Sequence, residues 1–250
     1  MLRLIEPTSG RVVFDGIDVT GLKKRELRKL RPRMQMIFQD PDSSLDPRMK
    51  IGESIAEPLR LRGSLKKGEI KERVSKLVET VGLNPEHINR YPYQMSGGQN
   101  QRVVLARVLA ANLRFVVADE PTSGLDVSVQ AQILHLMNEL KRELDLTTIF
   151  ITHDLEVARY VSDRVAVMYG GRILEIGRTE DIFSRPRHPY TRLLLNLEPT
   201  EGALFPEEEN GGNGRCPFHP RYPLAKGACR RVMPKMVEVG PDHRVLCSRV

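Results

Sequence analysis

The chain has 250 residues and 40% hydrophobic content, enough for one well-cored domain plus an appendage, and no apolar run approaches the roughly 18 residues that a membrane span needs. Its net charge of +7 suits nucleic acid, an anionic membrane surface or a nucleotide, but 5% aromatics and no Trp disfavour a base-stacking platform. Three cysteines, all near the C-terminal end, are too few for a disulfide framework.

In chain order, Met1 to Pro7 reads as the last turn of a helix and lacks the apolar core of a signal peptide. Arg11 to Phe14 follows as a strand that turns at Asp15-Gly16. Lys23 to Arg33 is densely basic and reads as a solvated helix face rather than a nucleic-acid contact. Met34 to Phe38 is a strand, broken by Gln39-Asp40-Pro41. From Ile51 to Tyr93 the chain is helical, with Ile70, Val74, Leu77, Val78 and Val81 on one face, and Gly82 ends that run.

The richest stretch runs from Tyr93 to Asp126. Ser96-Gly97-Gly98-Gln99 opens a largely buried helix, whose first amides have no internal acceptor and so invite an anion, typically a phosphate. Phe115 to Ala118 suits a buried parallel strand that delivers Asp119 and Glu120 at its C-terminal end, where one acid can hold Mg2+ and the next can orient water. The following helix carries an apolar stripe of Val129, Ile133, Leu136, Met137, Leu140 and Leu144. Thr147 to Thr152 is a β-branched run fit for a central strand, ending at His153, and Arg164 to Ile176 reads as two short strands joined at Gly170-Gly171.

Taken together and in this order, SGGQ, ADEPTSGLD and ITHD resemble the ATPase subunit of ABC transporters. The resemblance implies an α/β fold of P-loop NTPase type, a RecA-like core with an inserted helical subdomain. By the same resemblance Gln39 contacts Mg2+ and the attacking water, Asp119 holds Mg2+, Glu120 polarises water and His153 contacts the γ-phosphate of ATP. Ser96, Gly97, Gly98 and Gln99 cap a γ-phosphate across a dimer, and Ser123 to Asp126 is a dimer-contact loop. Asn100 departs from the Arg or Gln common after the motif, with little consequence expected.

A phosphate loop, G-x-x-x-x-G-K-[ST], precedes the Asp15-Gly16 turn in that family and occurs nowhere in this sequence. The expectation is an N-terminally truncated form of a longer ATPase, whose missing strand leaves flanking strands unpaired. The alternatives are a non-catalytic half-subunit that lends its signature helix to a paired ATPase, and a nucleic-acid-associated ABC ATPase. The last is disfavoured by the lack of a coiled coil or second cassette, so no nucleic-acid partner is expected.

Beyond Gly177, RPRHPYTRLLL (185–195) carries prolines and a short helix, and EGALFPEEENGGNG (201–214) reads as an acidic linker. An HPYT segment followed by a Cys-containing end resembles the oligopeptide and dipeptide importer branch. That implies a second ATPase subunit, two membrane permease subunits, indirectly an extracytoplasmic peptide-binding protein, and a peripheral place on the cytoplasmic face of the membrane. In the branch a fourth cysteine sits where Tyr222 is. Cys216, Cys229 and Cys247 therefore form an incomplete iron-sulfur or zinc set that His243 or His219 could complete, set against three unligated thiols. The expected divisions are 1–50 (core to Gln39 and its loop), 51–95 (helical subdomain), 96–180 (signature helix, acid pair and switch) and 181–250 (C-terminal extension).

Overall fold

The computed structural model describes residues 2–63, 65–111, 113–197, 215–222, 224–225 and 227–247, and the chain divides into two compact units, Met1–His153 and Asp154–Val250. In the first, β1 (Val13–Phe14) and β2 (Ile17–Asp18) form a hairpin whose turn residues Asp15 and Gly16 both take positive φ, 47° and 76°. Two left-handed residues match the twist of a two-residue hairpin, and Gly carries that geometry without a Cβ penalty. Residues 2–7 contain no helix, contrary to the sequence expectation. Instead Arg3 reaches the carbonyls of Val19, at 3.1 Å, and Leu22, so a side chain satisfies the turn that a helix end would otherwise have faced.

The basic run becomes α1 (Lys24–Leu30), started by the Glu26 carboxylate accepting from Lys23 N at 2.8 Å. Its cations point outward while Leu27 is buried with Val19 and Met34, as a solvated face requires.

Three parallel strands, β3 (Met34–Ile37), β4 (Phe115–Asp119) and β5 (Thr147–Ile151), stand in the order β3-β4-β5. Ile37 lies opposite Ala118, and Ala118 opposite Phe150, so the C-terminal ends of all three strands meet at one edge. Besides α1, the α-helices described in this unit are α2 (Pro41–Ser44), α3 (Ile51–Arg62), α4 (Lys67–Thr80), α5 (Gly97–Leu109) and α6 (Val127–Glu143). Ile51, Ile55, Val78, Val103 and Ile133 are wholly buried in the common core, each burial contributing about 1.5–3 kcal/mol. The α4 stripe falls as its spacing predicts, with Val74, Leu77, Val78 and Val81 buried and Gly82 in the left-handed region after it.

Two expectations fail here. The run 147–152 does not form a central strand: among the described residues β5 pairs with β4 alone, and Ile151 is 45% exposed. β-branched content reports fit to a pleated surface and carries no count of neighbours. Leu144, assigned to the α6 stripe, follows the last helical residue and is half exposed, because the helix ends before its turn returns to the core.

In the second unit Asp154 accepts from Glu156 N and Val157 N and so starts α7 (Leu155–Val161). β6 (Arg164–Tyr169) and β7 (Arg172–Arg178) form the expected hairpin, followed by α8 (Thr179–Ser184), α9 (Pro189–Leu194), β8 (Met236–Gly240) and β9 (His243–Leu246). The sheet is antiparallel in the order β6-β7-β9-β8. The expected linker at 201–214 lies outside the described residues.

At the centre of this unit Glu175 on β7 is fully buried. Its carboxylate accepts from Arg187 N at 2.7 Å, His188 N at 2.9 Å and His243 Nε2 at 2.7 Å. One buried acid therefore ties β9 and the start of α9 to β7, its negative charge met by two amides and an imidazole. His188, 1% exposed, accepts from Tyr190 N through Nδ1 at 3.0 Å and caps α9. Burial pushes the His188 imidazole down to about 4, against the opposing pull of the Glu175 charge.

Candidate functional site

The C-terminal edge of the parallel sheet assembles the first group of residues. β3 leads into Gln39, β4 ends in Asp119 and Glu120, and β5 leads to His153. Glu120 sits at φ 43°, an uncommon left-handed position for a non-glycine residue, and its N–H donates to Ile151 O at 2.9 Å. That backbone turn aims its carboxylate between the other two strand ends. Gln39 Nε2 donates to Glu120 Oε2 at 3.0 Å, and His153 Nδ1 lies 2.9 Å from Glu120 Oε1. Because the carboxylate can only accept, Nδ1 carries the proton in this contact. The Glu120 side chain is 24% exposed and that of His153 78%, so the acid is sheltered while the imidazole faces outward.

With its amide nitrogen turned to Glu120, Gln39 keeps its carbonyl oxygen for another donor or a cation, and Asp119 ends the neighbouring strand. This is a hard-oxygen set. It fits Mg2+, which takes one or two protein oxygens and keeps water and phosphate for the rest. Among the described residues no group of three or more His, Cys, Asp or Glu is arranged to hold a metal ion, and Mg2+ bound to a nucleotide needs no such cage.

The second group lies at the start of α5. Ser96 N donates to Gln99 Oε1 at 3.0 Å and Gln99 N to Ser96 Oγ at 3.3 Å, a reciprocal cap that fixes the helix entry. Both polar side chains expected to bind nucleotide are thus engaged in the cap, and the donors presented by the helix start are the backbone amides around Gly97 and Gly98. The two glycines differ. A Cβ added at Gly98 would overlap Val129 on α6, whereas one at Gly97 would meet Leu125 at an ordinary 3.5 Å. Gly98 is therefore also the contact that lets α6 approach. Asp126 precedes α6 and makes no side-chain cap bond; its carbonyl accepts from Gln130 N at 2.8 Å.

Sequence reasoning missed Asn100. Expected to be of little consequence, it is 3% exposed and donates through Nδ2 to Asp42 Oδ1 at 2.7 Å and to Pro92 O at 3.1 Å. One turn into α5, its side chain faces the segment after Gln39. The available signal was that Asn is a poor helix former, so its place inside a helix implies a specific bond.

Cys216, Cys229 and Cys247 are all buried, and Cys216 N donates to Cys229 O at 3.3 Å. Burial raises the Cys216 thiol; the Phe218 amide opposes this, and the neighbouring Cys229 and Cys247 add to the rise. His243 is committed to Glu175, and His219 Nδ1 lies 2.7 Å from Cys216 O. Among the described residues no group of three or more His, Cys, Asp or Glu is placed to hold a metal ion, so nothing here supports the iron-sulfur or zinc alternative for Cys216, Cys229 and Cys247 over three unligated thiols.

Residues 1–123 match the ABC transporter family model, and residues 174–229 match the model for the oligopeptide/dipeptide transporter C-terminal region. A putative peptide import ATP-binding protein of Brucella ovis is 48% identical over all of this chain and 82% of its own length. The oligopeptide transport ATP-binding protein AppF of Bacillus subtilis is 42% identical over 99% of this chain and 79% of its own. Among solved structures, the ATP-binding cassette MJ0796, a dimer bound to ADP and Pi, is 32% identical over 70% of this chain and 76% of that one, with a TM-score of 0.64. CbiO1 of Clostridium perfringens, part of the cbiONQ ABC transporter complex, is 29% identical over 74% of this chain and 72% of that one, with a TM-score of 0.66. The chain thus belongs to the ATP-binding proteins of ABC transporters, in the branch that carries the oligopeptide/dipeptide transporter C-terminal region.

Proposed function

We propose that the chain is the ATP-hydrolysing subunit of an ABC importer of oligopeptides or dipeptides. The observation that carries this reading is the placement of Glu120 between Gln39 and His153, three residues from three strand ends meeting on one carboxylate. The relatives' names, peptide import and oligopeptide transport ATP-binding proteins, supply the substrate class.

In this reading Glu120 accepts a hydrogen bond from the attacking water and so orients and polarises it. His153 holds Glu120 through Nδ1 and, with its other ring nitrogen also protonated, donates from that nitrogen to the γ-phosphate. Gln39 positions Glu120, and its carbonyl with the Asp119 carboxylate would hold Mg2+, which when bound would neutralise phosphate charge. The amides at Gly97 and Gly98 cap the γ-phosphate held by a second ATPase subunit, and Asp126 lies at the contact between the two subunits. Helices of the 51–95 stretch receive a permease pair, which places the chain peripherally on the cytoplasmic face of the membrane. Among the described residues no helix is long and apolar enough to cross it.

The reading is tested by MgATP hydrolysis in vesicles holding the permease pair and its ATPase subunits. Glu120→Gln should abolish peptide-stimulated hydrolysis, and an unchanged rate would sink the assignment. A second reading rests on one observation, that the sequence contains a complete signature helix and no G-x-x-x-x-G-K-[ST] motif. In it the chain completes the site of a paired ATPase without hydrolysing ATP itself. Glu120→Gln would then leave turnover unchanged, while Gly97→Arg would stop it.

A further inference from the structure

We infer that Asn100 and Asp42 form a strut that couples the phosphate-facing start of α5 to Gln39, making Asn100 and Asp42 positioning residues for the Glu120 site. The inference rests on the ATPase reading above and adds to it how the two groups of site residues communicate.

The segment after Gln39 is short and held at both ends. Asp40 Oδ1 accepts from Asp42 N at 3.0 Å and starts α2, and the Ser43 and Ser44 hydroxyls donate back to Asp40 O at 2.9 Å and 3.1 Å. Asp40 to Ser44 is thus one stiff turn that moves as a unit. Asn100 binds one end of it through Asp42. Arg107, seven residues further and so on the same face of α5, binds the other: Nη1 donates to Ser44 O at 2.8 Å while Nη2 meets Glu57 Oε2 at 2.5 Å.

The chemistry of the Asn100 contact fixes its orientation. Nδ2 faces a carboxylate and a carbonyl, Asp42 Oδ1 and Pro92 O, both acceptors only, so a flipped amide would set oxygen against oxygen twice. The bond to Asp42 is charge-assisted and partly buried, which makes it the stronger kind. Asn100 lies in the first turn after Gly97 and Gly98, and Gln39 directly precedes the stiff turn. A shift of the α5 start on meeting phosphate therefore passes through Asn100, Asp42 and Asp40 to Gln39, and from Gln39 Nε2 to the Glu120 carboxylate. Coupling of this kind is reciprocal, so a change at Glu120 also acts on the α5 start.

The test is backbone amide exchange of the full chain in the assembled transporter, without nucleotide and with a non-hydrolysable MgATP analogue. In the wild type the analogue should slow exchange both at 97–100 and at the four amides of 41–45, Pro41 having none. Asn100→Leu and Asp42→Ala should keep the response at 97–100 but cut that at 41–45 by about fivefold or more, with 67–80 unchanged. Asp42→Asn, which keeps an acceptor oxygen, should retain the response. Because Asp42 is exposed, its alanine variant is expected to fold even if the buried Asn100→Leu does not. Full transmission to 41–45 in Asp42→Ala, or in a folded Asn100→Leu, overturns the strut alone. A wild type in which the analogue protects neither segment overturns the ATPase reading, and the strut with it.

Discussion

Gln39 and Glu120, 81 positions apart in sequence, meet at 3.0 Å because β3 and β4 are adjacent parallel strands that end in register. A single carboxylate thus takes its orientation from two other strand ends. Glu120→Gln should lower hydrolysis by about 100-fold or more while nucleotide binding persists. Gln39→Ala should cost less, about tenfold, because His153 still holds Oε1. Steady-state hydrolysis by the assembled transporter, with binding measured separately, checks both. Equal losses in binding and turnover would contradict the assignment.

The two signature glycines should separate experimentally. Gly98→Ala forces a methyl into Val129 and should destabilise the chain by about 1–3 kcal/mol, whereas Gly97→Ala meets only an ordinary contact and should be neutral or slightly stabilising. Urea midpoints of the two variants give the comparison. The double variant Gly98→Ala with Val129→Ala should recover part of the loss, since the overlapping group is gone.

Gln101, beside Asn100 on α5, is wholly buried, and among the described residues neither its Oε1 nor its Nε2 has a hydrogen-bond partner. Leaving such an amide unpaired costs about 1–3 kcal/mol, and a thioether of similar length removes that cost. Gln101→Met should therefore raise the urea midpoint. A midpoint lowered by the substitution would show that the amide is paired in solution.

The second unit should weaken in mild acid. The His188 imidazole titrates near 4 in the fold against an ordinary value of 6.5, so the unfolded chain takes up the proton first as pH falls. Its contribution is fully present above pH 6.5 and is lost between 6.5 and 4, to the extent of roughly 3 kcal/mol. Unfolding followed from pH 7.5 to 4 should show a steeper fall in the wild type than in His188→Asn, which keeps an oxygen to cap α9. Parallel curves would refute the titration.

The local patterns were legible in the sequence because they act over a few residues. The Asp15-Gly16 turn, the opening of α5 at Ser96-Gly97 and the apolar face of α4 each depend on neighbours within one or two turns. The meeting of Gln39, Glu120 and His153 followed from the resemblance to a family, since no spacing rule places three strand ends together. Asn100 was misjudged because its partners, Asp42 and Pro92, are 58 and 8 positions away and only packing brings them in. Glu175 was overlooked for the same reason. A lone acid in a strand reads as solvated until His243, 68 positions on, and the amides of Arg187 and His188 close around it.

The exposed flank of β5 bears on handling as well as on architecture. A parallel strand that, among the described residues, hydrogen-bonds on one side only, with Ile151 open to water, offers a template to any extended chain nearby. Lysine or proline often blunts such a flank, and the run Thr147-Thr148-Ile149-Phe150-Ile151 has neither. Purified alone at high concentration, residues 1–250 should pass through soluble oligomers toward precipitate, and Ile151→Lys, at the wetted end of the strand, should delay that passage. Light scattering against time would follow it directly.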